Sequence, residues 1–269
     1  EINPRLIYCS LSGYGQDGPY RQWAGHDLNY IAVSGVLHGL GQDKARPHFP
    51  TNLVGDFGGG STYLVIGVLA ALLEARVSGE GQVVDAAIVD GAAHLNAMFA
   101  SMLAGGWAHE RRAANLLDGG VPFYDVYETA DGRFLAVAPL EPKFWAGFVQ
   151  AIERPELITD GLSREPRVKA AVAARIRERT LAQWSEIFAA IDVCCEPVQT
   201  FEETLVDAQH RARNMFFTLA GVQHVRTPVT PMDREHRPAP AQGADTDAVL
   251  ADAGFATADI EALRAGEVV

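Results

Sequence analysis

Cysteine is scarce in this chain, with three in 269 residues: Cys9, Cys194 and Cys195. An odd count, two of the thiols adjacent and no C-x-x-C motif, excludes a disulfide framework and a thiolate zinc site and points to a reducing, cytoplasmic setting. Positive charge is also short. Lys and Arg total 22 against 34 Asp and Glu, a net charge of -12. No basic surface is available to displace counterions from nucleic acid or to dock on an anionic membrane. The longest apolar run, Tyr63 to Leu73, falls short of a bilayer span. No charged-then-apolar leader opens the chain. Glu1-Ile2-Asn3-Pro4 runs straight into an apolar segment, as if cut from a longer protein. Internal repeats and low-complexity segments are missing too.

What remains is an ordinary globular composition, 48% hydrophobic and 21% charged. Residues 5–11 read as a buried strand, followed by the glycine-rich loop Ser12 to Pro19. A short helix is expected over 26–35, and no regular element over 36–60, where glycines gather with Pro47 and Pro50. From Gly60 to Arg76 the sequence is apolar on nearly every face, which predicts a buried helix stopped at Ser78-Gly79-Glu80-Gly81. A second strand, Val83 to Ile88, and a small-residue helix from about Val89 to Gly105 complete an α/β layer. Two runs around Ala130-Asp131-Gly132, Tyr124 to Thr129 and Arg133 to Ala138, carry a β-hairpin signal. Helical spacing follows at 141–153, 166–178, 180–191 and 201–211, then a proline-rich stretch from Pro228 to Gly243 and an acidic helix over 245–265. The expected organisation is part of a large α/β domain over 1–105, a linker over 106–121, a small α+β domain over 122–215, and a return linker with a C-terminal segment on the large domain over 216–269.

Three segments could carry chemistry: Gly25-His26-Asp27-Leu28-Asn29-Tyr30, Asn52 to Gly60, and Leu140-Glu141-Pro142. Each has a plainer reading. His26 beside a helix start is more often a cap or core-edge residue, and Asp56 before a helix more often an N-cap. Gly58-Gly59-Gly60 lacks the strand–GxGxxG–helix context and the lysine of a phosphate loop, so close backbone packing is the better reading. Glu141-Pro142 suits a first helical turn. Met98 and Met102, one turn apart, could face an acyl groove, although core packing is favoured. Cys194 and Cys195 have no His at motif spacing and read as structural. On the residues alone, function stays open.

The segments 25–30 and 52–60, with Gly81 to Ala87, Asp125-Val126-Tyr127-Glu128 and Asp131-Gly132, resemble in order and spacing the signature blocks of the family III CoA-transferase superfamily. The resemblance implies an incomplete Rossmann-like large domain, preceded in the family by about 100 further residues, plus a small α+β domain joined by long linkers. It also implies an interlocked homodimer, with Glu141 reaching the other subunit's site. Transferases of the superfamily form a mixed anhydride on an Asp, matched here by Asp56. The racemase branch keeps that Asp and adds the His of the Gly-His-Asp block and a Glu past the hairpin, matched by His26 and Glu141. The implied reaction is interconversion of (2R)- and (2S)-2-methylacyl-CoA through an enolate. The alternatives are a transferase using Asp56 as nucleophile, or an inactive CoA-binding module.

Inversion at the α-carbon needs proton carriers on two faces, and His26 with Asp56 would fill those roles. A carboxyl that holds a proton near neutrality calls for burial, for which Leu53, Val54 and Phe57 are apolar neighbours. Asn52, one turn before Asp56, would hydrogen-bond its carboxyl, and Glu141 would orient His26. By resemblance the backbone N–H of Asp27 meets the enolate oxygen, while Gly25, Leu28, Asn29, Tyr30 and Gly55 line the thioester and pantetheine. No metal and no cofactor is expected, coenzyme A being part of the acyl-CoA substrate.

Overall fold

The computed structural model describes residues 3–231 and 233–269. They divide into a unit ending at Val198 and a second unit, Gln199–Val269. The first opens with strand β1 (Tyr8–Ser12), then helix α1 (Asp27–Val33) and the single turn α2 (Val36–Gly39). A π-helical segment, Leu53–Ser61, runs directly into α3 (Thr62–Ser78), and β2 (Val83–Ala87) returns parallel to β1 with Tyr8 opposite Val83. Helices α4 (Ile88–Leu95) and α5 (Ala97–Ala104) follow, the sequence's single helix being broken at Asn96. Asn readily leaves helical geometry for a cap.

The expectation of no regular element over 36–60 is overturned by the π segment. Phe57 N–H reaches back five residues to the Asn52 carbonyl at 3.4 Å. The hydroxyls of Ser61 and Thr62 satisfy the carbonyls of Asp56 and Phe57, each at 3.1 Å. Glycines make this segment possible by letting backbones touch. A Cβ on Gly59 would lie 2.6 Å from the Ala92 nitrogen, and one on Gly91 would lie 1.9 Å from the Gly59 carbonyl oxygen. The π segment and α4 are therefore packed main chain against main chain.

Helix α3 forms as expected and ends at Gly79 in left-handed geometry (φ 79°), but the expectation that it is buried does not hold. Of its residues only Ala71 and Ala75 are buried, while Leu73 and Val77 are 63% and 87% exposed. A helix apolar all round needs cover on every side, and within this chain one face packs, with Gly67 against Val84. The continuous helical stretch Leu53–Ser78, longer than the apolar run seen in the sequence, has the length and hydropathy of a membrane span. Its place is nonetheless that of the crossover between two parallel strands, packed on β2.

Residues between α5 and the next strand are irregular yet anchored. Arg112 donates to the carbonyls of His38, Gln42 and Ala45, and buried Asn115 binds the His109 backbone and Asp118. Strands β3 (Asp125–Glu128) and β4 (Phe134–Val137) form the expected antiparallel hairpin. Helices α6 (Pro142–Ala151), α7 (Pro166–Ile176) and α8 (Leu181–Ala189) pack beside it, and β5 (Cys195–Pro197) adds an unforeseen third strand on β4. Phe123, Leu135, Trp145, Phe148, Val172, Trp184 and Cys195 belong to one apolar core. Tyr127 lies in that core with its hydroxyl on the Pro122 carbonyl at 2.6 Å.

In the second unit the sequence's helix over 201–211 is two, α9 (Phe201–Val206) and α10 (Ala208–Ala212). Asp207 divides them by capping the amides of Gln209 and His210. A hairpin absent from the sequence reading, β6 (Phe216–Leu219) with β7 (Val222–Val225), comes next. The tail expected as one helix is also two, α11 (Thr246–Asp252) and α12 (Thr257–Ala265), separated at Gly254 with φ 94°.

Two measurements follow from this packing. Gly91→Ala should lose about 1–3 kcal/mol to overpacking against Gly59, whereas Gly39→Ala, with nothing within 4 Å, should leave Tm unchanged. Burial above all, with Asp125 adding, pushes the Tyr127 phenol far above its ordinary 10.0. The unfolded chain therefore releases this proton first, and stability is present below pH 10 and falls above it. Tyr127→Phe should flatten that alkaline fall, read as Tm against pH.

Candidate active site

The segment 25–30 is built on one aromatic ring. Tyr30 is buried under the glycine-rich loop, donates its hydroxyl to the Gly25 carbonyl, and meets Tyr14 edge-on with centroids 5.0 Å apart. Glycine is required at 13 and 25, where a Cβ would lie 2.3 and 2.8 Å from the Tyr30 ring. This holds His26 at the N-cap position of α1, in extended backbone and exposed. The His26 amide donates to Asn29 Oδ1 at 3.1 Å, and its carbonyl accepts from Asn29 and Tyr30. Leu28 and Asn29 are exposed on the first turn. The loop is tied to β2 as well, since Gln16 N–H donates to Asp85 Oδ2 at 3.0 Å.

Asp56 sits in the π segment with its carboxyl partly exposed, and Asn52 Nδ2 donates to its Oδ2 at 3.3 Å. The sequence had placed Asn52 one turn ahead of Asp56 in that role. Its expected shelter is not there: Leu53 and Phe57 are themselves more than half exposed. These side chains point away because the π segment turns its glycines, not its apolar residues, toward α4.

The two segments meet through the side chain of Asp27, 4% exposed. Its Oδ2 accepts from the backbone amides of Gly55 at 2.7 Å and Asp56 at 2.8 Å. Gly55 has to be glycine there, because a Cβ would lie 2.5 Å from that oxygen. The sequence signal for this contact is an Asp beside a His and a Gly beside an Asp, whereas the resemblance points only to the backbone N–H of Asp27. Tyr30 registers the same convergence. Its phenol is pushed above the ordinary value by burial first, then by Tyr14 and by the charge of Asp56.

Glu141 is not brought to this site by the chain itself. It is exposed, caps α6 ahead of Pro142, and gives its carbonyl to the amides of Phe144 and Trp145. Among the described residues no hydrogen bond joins it to His26; its charge instead acts on Cys194, whose thiol is raised by burial, Asp192, Glu141 and Glu196 against Lys143. Cys195, as expected of a structural residue, is buried in the core. Met98 departs from the core packing favoured for it and is 61% exposed. With Met102, Val36, Leu40, Phe99 and Leu117 it lines a cavity of about 230 Å3. A larger cleft, about 600 Å3, lies between 109–122 and the start of α7. Neither is lined by His26 or Asp56. No cluster of three or more metal-ligating side chains forms among the described residues.

A family model, CoA-transferase family III, matches residues 1–246. The chain belongs to that family. Within CoA-transferase family III it is 39% identical to the α-methylacyl-CoA racemase of Mus musculus and 35% identical to that of Homo sapiens, each match covering 99% of this chain and 72% of the relative. Among solved structures it is similar to a CAIB/BAIF family protein from Brucella suis. The TM-score is 0.74 at 27% identity, over 93% of this chain and 68% of that one. The matched residues include the two segments joined by Asp27.

One measurement checks the aromatic support. Tyr30→Phe removes the hydroxyl bond to the Gly25 carbonyl and should cost about 0.5–1.5 kcal/mol. Limited proteolysis should then cut the loop 12–25 faster than in the wild type; an unchanged cutting rate would contradict the role given to this ring.

Proposed function

We propose that this chain is an acyl-CoA racemase that interconverts (2R)- and (2S)-2-methylacyl-CoA thioesters. The observation that carries the reading is the junction of a histidine segment with an aspartate segment, in a chain 39% and 35% identical to two α-methylacyl-CoA racemases. One of His26 and Asp56 takes the α-proton, and the C–H electron pair moves into the thioester as an enolate. The other returns a proton to the opposite face, and the roles exchange in the reverse direction. The backbone N–H of Asp27, at the start of α1, meets the enolate oxygen in a place where the helix terminus favours negative charge. Asn52 holds the Asp56 carboxyl, and Gly25, Leu28 and Asn29 line the thioester arm, with the buried Tyr30 and Gly55 beneath them. Coenzyme A arrives as part of the substrate, and the reaction calls for no metal.

Glu141 is assigned to the site of a second copy, in an interlocked homodimer, where it orients His26. What supports this is that Glu141 stands exposed at the N-cap of α6, with no hydrogen bond to His26 among the described residues. The segments 106–121 and 216–269 are proposed as the linkers of that exchange, between a large α/β part, 1–105, and a small α+β part, 122–215. Three unpaired cysteines agree with a reducing cytoplasm. A second reading uses Asp56 as the nucleophile of a CoA-transferase, and the partial exposure of its carboxyl favours it.

Deuterium decides between them. In D2O, with no acceptor acid, 2-methylacyl-CoA should take up deuterium at the α-carbon and lose its chirality. Transfer of CoA to a free acid without α-exchange would sink the racemase reading. His26→Ala should abolish inversion while CoA thioester binding stays measurable.

A further inference from the structure

The carboxylate of Asp27 has no assigned task, although its backbone does. An aspartate at the first position of a helix ordinarily faces water and its own first turn. This one is 4% exposed and turns to another element, with Oδ2 on the amides of Gly55 and Asp56 and Oδ1 buried without a hydrogen-bond partner among the described residues. Burying a carboxylate with half its acceptor capacity unused is unfavourable. A neutral cap or an alanine would serve α1 by itself, so the burial points to the contact with the π segment.

We propose that the Asp27 carboxylate is the positioning residue that sets where Asp56 stands relative to His26. Along the chain Asp27 and Asp56 are 29 residues apart, through α1, α2 and the irregular stretch after α2. Through space the route is one peptide bond from His26 to Asp27, then one hydrogen bond of 2.8 Å to the Asp56 amide. Two amides bound by a single oxygen fix both the place and the rotation of the backbone that carries the Asp56 side chain. A two-base inversion depends on that relation more than on either base alone, since the proton must be lost to one and regained from the other. The proposal rests on the racemase reading, and its test separates the two.

The experiment follows, in D2O, the enantiomer of 2-methylacyl-CoA whose α-hydrogen faces His26 and reads two quantities, α-deuterium uptake and inversion. Asp27→Ala keeps the backbone N–H and removes only the carboxylate. Misplacing Asp56 should lower inversion about a hundredfold. Uptake with retention, which needs His26 alone, should fall far less, so the ratio of inversion to uptake drops by about tenfold or more. A merely structural role lowers both together and leaves the ratio unchanged, which overturns the proposal. Asp27→Asn keeps an oxygen for the two amides and should restore the ratio; if it behaves as Asp27→Ala, the amide grip is not the cause and the proposal falls. Should Asp27→Ala not fold, Gly55→Ala forces the same contact apart from the other side, and an unchanged ratio in that variant is equally decisive against it. Absence of any uptake in the wild type overturns the racemase reading instead.

Discussion

A buried carboxylate must find donors, and Asp27 finds them on a different element from its own. That requirement organises the first part of the chain. It demands glycine at 55, where a Cβ would lie 2.5 Å from Asp27 Oδ2. It holds the start of the π segment against the start of α1, and so places Asp56 beside the segment that carries His26. On the far side, Gly59 and Gly91 close the same π segment onto α4 without side chains between them. The segment is thus pinned on two sides by backbone contacts. A π-helix, whose hydrogen bonds are poorer than an α-helix's, persists where the surroundings hold it, and functional sites are where it is commonly found.

Elements set by local chemistry were legible in the sequence. The β3–β4 hairpin announced itself by alternation around Asp131-Gly132, and α6, α7 and α8 by apolar spacing, because local pattern and final packing agree there. The π segment was not legible. Its glycines and flanking prolines look like loop composition, and only the approach of Ala92 and Gly91 explains why glycine is helical there. The splits at Asn96, Asp207 and Gly254 are not legible either, since helical periodicity continues across each while one capping or left-handed residue interrupts the hydrogen bonds. Strand β5 is three residues long and pairs with a partner nearly sixty positions earlier, which no local window contains.

The site was legible in a different way. Periodicity and spacing left His26 and Asp56 as ordinary helix-start residues, and in the structure both do sit at or near helix starts. What distinguishes them is the tie between their segments, a long-range contact. Resemblance supplied the residues, and the structure supplied the reason for their neighbours: Gly25 for the Tyr30 ring, Gly55 for the Asp27 carboxylate, Asn52 for the Asp56 carboxyl. Conversely, two of the three apolar neighbours expected to shelter Asp56, Leu53 and Phe57, are exposed, because apolar character alone does not say which side of a helix faces inward.

A racemase must treat two mirror-image substrates almost alike, and that symmetry bears on how its bases are held. If His26 and Asp56 stood on one rigid helix they would approach the α-carbon from one side. Placing them on separate elements, α1 and the π segment, allows an approach from two, at the cost of an adjustable gap between elements. Asp27 closes that gap with hydrogen bonds to backbone amides, without engaging the side chain of His26 or of Asp56. Because its grip is on main chain, the Asp56 carboxyl is left to its neutral hydrogen-bond partner, Asn52. The arrangement thus fixes the place of the Asp56 backbone while the carboxyl can still turn, which is what the proposed two-base inversion asks of it.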